Sequence, residues 1–184
     1  AVIGDYSRDI AEMYEAIRDD VDGLIAALSV HVEKHSEAHY YETRNVGPLF
    51  RGTWSKAKRA ARTIYGIRAG FNGLRRENRL GENNVSWNHE ETATFDYDNL
   101  RACSAALAGV EIRCGDFATT LRDAQAGDAA YLDPVYLYED DADNFTGYNG
   151  AGSFTRRDHV RLADLCVELG DRGVSVLLSN DDNP

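Results

Sequence analysis

Residues 128–136 read Asp128-Ala129-Ala130-Tyr131-Leu132-Asp133-Pro134-Val135-Tyr136. A short apolar run closed by an acid and a proline predicts a buried strand that stops at Asp133. Val110-Glu111-Ile112-Arg113-Cys114-Gly115-Asp116 has the same form, and so does the opening Ala1-Val2-Ile3-Gly4-Asp5. Residues 173–178 add a further apolar strand. Helical periodicity separates these runs. Ser7 or Asp9 can cap a helix with Ile10, Met13, Tyr14 and Ile17 on one face, and Val21 to Glu33 reads as a second, carrying Leu24, Ile25, Leu28 and Val32. Tyr97 to Leu107 and the amphipathic Arg156 to Leu169 follow. Strands alternating with helices at both ends of the chain predict an α/β protein with a mostly parallel sheet. Ligands bind such sheets at the carboxyl ends of the strands, where Asp5, Asp116 and Asp133 all fall. Each acid alone could equally cap a helix or turn.

The middle of the chain differs. Residues 40–53 read as irregular, with Gly47-Pro48 as a breaker, and residues 54–69 as a basic helix. Phe71 to Trp87, FNGLRRENRLGENNVSW, reads as a Gly/Asn/Arg-rich loop or hairpin, and residues 137–153 as a polar loop. The chain has 31 acidic and 20 basic residues and a net charge of −11, yet nine basic residues from Arg51 to Arg79 face one acid, Glu77. Such an island in an acidic chain serves either to bind phosphate or to pair internally along a solvated helix face. Only three basic residues are lysine, a balance that suits high salt and suggests a halophilic source.

No apolar run approaches the ~18 residues of a membrane span, and no signal peptide is visible. Cys103, Cys114 and Cys166 are too far apart for a zinc knuckle or disulfide framework, which fits a reducing, cytoplasmic setting. His31, His35 and His39 would share one face of a single helix. No fourth ligand lies near in sequence, so no metal is expected and the stripe reads as solvated or DNA-facing. Trp54 and Trp87 read as packing residues, and His159 as structural.

The chemistry resides in Asp133-Pro134-Val135-Tyr136. An exocyclic amine is a poor nucleophile because its lone pair is delocalised into the ring. A carboxylate and a rigid backbone carbonyl, from Asp133 and Pro134, are two acceptors that can be set against the amine hydrogens. The Tyr136 ring can stack on a flipped base. A strand ending in a simple Asp-Pro turn is the alternative for the tetrapeptide alone.

The wider context adds a resemblance. The tetrapeptide resembles the Asp-Pro-Pro-Tyr signature of amino-methyltransferases, with Val135 in place of the second proline. NFTGYNGAGSFTRRDHVRLADLC resembles the stretch that follows it in Dam-type DNA adenine-N6 methyltransferases, and VSVLLSN their next strand. FNGLRRENRLGENNV resembles their recognition hairpin, and HVEKHSEAHYYETRN the helical segment before it.

The resemblance implies S-adenosylmethionine-dependent methylation of adenine N6 in double-stranded DNA. It implies a Rossmann-like methyltransferase sheet, here incomplete, from residues 1–22 and 96–184, with residues 23–95 inserted as a helical and hairpin DNA-recognition domain. It implies that Asp5 holds the cofactor ribose and that Asp116 and Phe117 lie beside its adenine. Asp133, Pro134 and Tyr136 match the catalytic pocket, with Asp133 also bordering the cofactor. Phe71, Asn72, Leu74, Arg75 and Arg76 match the hairpin that enters DNA, where Arg suits guanine. Lys56, Lys58, Arg59 and Arg62 are expected on phosphate.

The family's Pro-x-x-x-Lys and Phe-x-Gly-x-Gly motifs precede the strand that Ala1 opens, which implies a preceding segment of the same enzyme as a partner. The alternatives are a DNA-binding fragment or split-gene product without activity of its own, and an amino-methyltransferase for cytosine N4, RNA or protein.

Overall fold

The computed structural model describes residues 1–76, 78, 83–136 and 154–180. Among these residues thirteen elements are described, with a run of helices between the first two strands and alternation of strand and helix after them. Strand β1 (Val2–Asp5) leads into α1 (Arg8–Asp19), α2 (Val21–Glu33), α3 (Glu37–Arg44), α4 (Pro48–Arg51) and α5 (Lys56–Ala69). A 3-10 turn at Phe71–Gly73 precedes α6 (Tyr97–Ala106), β2 (Glu111–Cys114), α7 (Phe117–Leu121), β3 (Ala129–Leu132), α8 (Arg156–Asp171) and β4 (Ser175–Leu178). The expected polar loop at 137–153 lies outside the described residues.

Polar caps set most helix starts. Asp20 ends α1 and caps α2, accepting from the Gly23 N–H at 3.1 Å. Ser36 caps α3 through the His39 N–H at 3.2 Å, and Ser55 caps α5 through Lys58 at 3.3 Å. Thr155 and Asp158 form a capping box at α8. The stretch 40–53, expected to be irregular, instead carries the end of α3 and all of α4. Pro48 opens α4 at the one helical position where proline fits, because an N–H there has no partner to lose. What reads as a breaker is a restart.

Helix α5 is the centre of the helical half. Alanines 57, 60 and 61 let α1 and α2 approach it closely, and with Ala16, Ile17, Leu24 and Leu28 they form one core cluster. Phe95, Tyr97, Leu100 and Cys103 extend that cluster from α6 and the chain leading into it. On the other side of α5, Tyr65 and Ala69 join Tyr40, Trp87 and Ala93 in a second cluster.

The strands are parallel, as expected, but among the described residues they form two separate pairs. β1 pairs with β2 from Val2↔Glu111 to Asp5↔Cys114, and β3 with β4 from Ala129↔Ser175 to Leu132↔Leu178. The architecture is thus mixed α/β with short parallel strands. Helix α8 packs on β4 with Leu162 and Leu169 buried. The register partners Tyr131 and Leu177 are each 65% exposed, so one face of that pair is open. Among the described residues no helix is long and apolar enough to cross a membrane.

Candidate active site and nucleic-acid interface

Parallel pairing delivers Asp5 and Asp116 to one end of the first strand pair. Asp5 is the last residue of β1, and its carbonyl accepts from the Gly115 N–H at 2.9 Å, just past β2. Gly115 takes a φ of +146°, which a side chain would resist, and turns the chain into α7. Asp116 caps α7 through the Ala118 N–H at 3.0 Å. Helix α7 lies so close to β1 that a Cβ on Gly4 would stand 2.3 Å from the Thr120 hydroxyl. The Asp5 carboxylate accepts from the Ser7 N–H at 2.6 Å. Burial pushes the Asp5 pKa above its ordinary value, opposed by that hydrogen bond and by the charge of Arg75.

The second pair places Asp133 beside the residue that follows β4. Ser179 Oγ donates to Asp133 Oδ1 at 2.5 Å and also lies 3.2 Å from the Leu132 carbonyl. Tyr136 folds back so that its hydroxyl donates to the same carboxylate oxygen at 3.4 Å. Ser179 is a site neighbour that sequence reading missed. Its signal was its place directly after an apolar strand, the place the three acids also hold.

The start of α8 touches both ends. His159 hydrogen-bonds the Val135 backbone, and burial holds the ring below its ordinary pKa, opposed by that bond and by Asp158. Its Nε2 is buried without a partner. Phe154 packs edge-on against His159 and Phe117, at centroid distances of 4.8 and 6.0 Å. Arg161 NH2 donates to Asp116 Oδ1 and Oδ2 at 3.1 and 3.2 Å. The segments after β2 and β3 therefore share one neighbouring helix end, as a two-part site requires.

The basic island is arranged differently from the expectation. Along α1, Asp9, Glu12 and Glu15 face α5. Lys56 meets Glu15 at 2.6 Å and Arg59 meets Glu12 at 2.6 Å. Arg62, expected on phosphate, is 8% exposed and donates to the Thr43 and Arg44 carbonyls at 2.9 and 2.8 Å. It belongs to the framework, because a guanidinium at that depth is retained only if carbonyls or acids satisfy it. Arg51, Arg62 and Arg75 converge on the Asp9 Oδ2 oxygen at 3.4, 3.9 and 3.1 Å. Arg75 thus turns inward, away from the groove contact expected of it. Lys58 is exposed and rests over the Trp54 ring at 4.2 Å.

The described part of the hairpin projects other residues outward. The Gly70↔Trp87 bridge and hydrogen bonds from Phe71 N–H to the Ser86 carbonyl (2.8 Å) and from Asn84 N–H to the Arg76 carbonyl (3.0 Å) hold its arms antiparallel. Asn72 takes a left-handed φ of 54° at the turn. Phe71 and Leu74 are 52% and 42% exposed, and Asn72 and Arg76 are exposed too, Arg76 Nε donating to Asn84 at 2.9 Å.

The histidines do not line one helix. Helix α2 stops at Glu33, so His39 comes from α3. His31 Nδ1 and His39 Nε2 lie 2.9 Å apart, and His31 stacks on Tyr65 at 4.6 Å. His35 reaches the Tyr65 hydroxyl at 3.1 Å. The stripe is a packed joint between helices, not a solvated face. Burial, with the charge of His39 next, pushes the His31 pKa down to about 4.

The family described as D12 class N6 adenine-specific DNA methyltransferase matches residues 1–184. The type II methyltransferase M1.LlaDCHI of Lactococcus lactis subsp. cremoris is 33% identical, over 100% of this chain and 66% of that protein. M.MjaIII of Methanocaldococcus jannaschii is 32% identical, over 99% and 65%. The DNA adenine methylase of Escherichia coli K12 is 28% identical, over 98% and 64%. The chain therefore spans about two thirds of the length of these relatives. The chain belongs to the D12 class of N6 adenine-specific DNA methyltransferases.

Proposed function

We propose that the protein containing this chain methylates adenine N6 in double-stranded DNA, with S-adenosylmethionine as methyl donor. The observation that carries the reading is the placement of Asp133, held by Ser179 at the carboxyl end of β3 with Tyr136 beside it. An amine presented there finds the Asp133 carboxylate and the Pro134 carbonyl as acceptors for its two hydrogens. Those bonds draw the nitrogen out of conjugation and favour the positive charge that develops as it becomes tetrahedral. Tyr136 offers its ring to a base flipped out of the duplex, which exchanges its hydrogen-bonded position over Asp133 for a stacked one.

The donor set fits the cofactor. A partly buried carboxylate at a strand end, Asp5, suits ribose hydroxyls, while Asp116 with Phe117 suits an adenine's amino group and face. On this reading Asp133 also borders the cofactor. When bound, S-adenosylmethionine supplies a methyl group made electrophilic by its sulfonium. The chain's residues hold that group's nucleoside end and orient the amine.

Residues 1–22 and 96–184 are the catalytic part of this proposal and residues 23–95 the recognition part. The two parallel pairs are read as parts of one Rossmann-like sheet. The outer edges of β1 and β3 pair with no described strand, and on this reading one further strand joins them. Phe71, Asn72, Leu74 and Arg76 are the groove probe. Lys58, and at greater cost of rearrangement Lys56 and Arg59, which must first leave Glu15 and Glu12, supply phosphate contacts. The acidic, lysine-poor composition supports a halophilic host, and the widely spaced cysteines suit a reducing setting. The test is methyl transfer from labelled cofactor to adenine-containing duplexes by the full-length protein. Tight DNA binding with no transfer would replace this reading with that of a binding module.

A further inference from the structure

Arg161 lies in the second turn of α8, and its guanidinium has two neighbours besides the Asp116 carboxylate. NH1 donates to Asp158 Oδ1 at 2.9 Å. The guanidinium carbon stands over the Phe117 ring, 5.0 Å from its centroid. The flat cation therefore donates to Asp116 and Asp158 with its edge and covers the Phe117 ring with its face. An adenine ring makes two of the same contacts, to Asp116 and Phe117, through its amino edge and its π face. Both are planar groups that donate in their own plane, so one cannot sit there while the other does.

We propose that Arg161 is a resident occupant of the Asp116–Phe117 nucleoside subsite and that the adenine end of the cofactor must displace it to bind. This rests on the reading of that subsite given above. The displaced side chain has somewhere to go. Asp158 is fixed by the capping box, accepting from the Thr155 N–H at 3.0 Å, and so holds Arg161 when Asp116 is taken. The guanidinium swings about that anchor rather than being released into solvent. The displacement is inexpensive, because the Arg161 and Asp116 side chains are 45% and 36% exposed and water screens their attraction. With the arginine in place, Phe117 is covered and α8 is tied to the turn after β2. Occupation of the subsite by adenine frees the start of α8, which also touches Val135 next to the catalytic acid.

Calorimetry on the full-length protein with S-adenosylhomocysteine tests this, because that probe carries the nucleoside without the reactive methyl. Arg161→Met should tighten binding about two- to fivefold, the equivalent of an exposed ion pair of up to about 1 kcal/mol. Arg161→Lys, which keeps the charge and loses the flat fork, should fall between. Rising sodium chloride should tighten binding to the natural protein and leave Arg161→Met unaffected, a response that a purely structural arginine would not produce. Asp116→Ala is the control on the subsite and should weaken binding at least tenfold. If Asp116→Ala weakens binding while both Arg161 variants leave it unchanged or weaken it, the displacement is overturned and the subsite stands. If Asp116→Ala has no effect, the subsite reading fails and the proposal with it.

Discussion

The helical half around α5 and the strand half around β3 and β4 use apolar residues in opposite ways. Leu24, Leu28 and Tyr65 are 0% exposed, whereas Tyr131 and Leu177 are 65% and Val167 is 67% exposed. The first region closes its own core with small residues at the helix crossings. The second presents a parallel pair with one face open, although parallel strands are ordinarily covered on both faces. The helical half is thus closed by its own helix crossings, while the described part of the strand half leaves an apolar face exposed.

The largest effect should come from breaking the closed half. Leu28→Ala removes a fully buried side chain from the α1–α2–α5 cluster and should cost about 2–5 kcal/mol in urea unfolding. A loss under about 1 kcal/mol would mean that this core is less closed than it looks. The equivalent test of the strand half is chemical. Asp133→Ala should lower turnover about 10²–10³-fold with little change in DNA affinity. Near-normal methylation by that variant would remove Asp133 from the catalytic role.

Arg75 and Arg76, adjacent in sequence, divide the hairpin between the two regions. Arg76→Ala should cost about 1–3 kcal/mol on the cognate duplex alone. Arg75→Ala should instead lower thermal stability and affect all duplexes alike, because its partner is Asp9. Equal losses on cognate and random DNA for Arg76→Ala would make the hairpin a phosphate clamp.

The histidine joint predicts a pH dependence. Unfolded histidine titrates near 6.5, while burial holds His31 in the folded chain down at about 4. The folded state binds fewer protons, so this contribution is complete above about pH 6.5 and is lost as pH falls towards 4. Stability should decline across that window, and His31→Gln should flatten the decline by on the order of 1 kcal/mol, allowing for partial solvent screening. An unchanged slope would acquit His31. The smallest effect concerns the island. Lys58→Ala should reduce the salt slope of DNA binding by about one unit on every duplex. Lys56→Ala, whose lysine starts from a pairing with Glu15, should do less.

Much of this was legible in the chain. The helix expected from Val21 to Glu33 has those bounds, and the strands closing before Asp116 and Asp133 lie where alternation of element types put them. The fate of the island was not legible. Arg59 meets Glu12 and Arg75 meets Asp9 across long stretches of intervening chain, and local charge counting cannot see such pairs. A signal was present in the spacing of Asp9, Glu12 and Glu15, one acidic stripe on α1 that matches the basic stripe on α5. The family resemblance could name Asp5, Asp116 and Asp133, but not the serine and arginine that fix two of them, because those contacts depend on which strand and helix ends become neighbours.

Asp9 has one more consequence. Its carboxylate is the shared counter-charge of Arg51, Arg62 and Arg75, which come from α4, α5 and the hairpin, and it lies in the first turn of α1, four residues after Asp5 in the chain. On the proposed reading, that shared fastening helps set the distance from the bases being read to the methyl donor. The outward residues Phe71, Leu74 and Arg76 can then diversify to read other sequences without re-gauging the reach to the target adenine. Asp9 itself has no such freedom, since changing it would take a shared counter-charge from three segments at once.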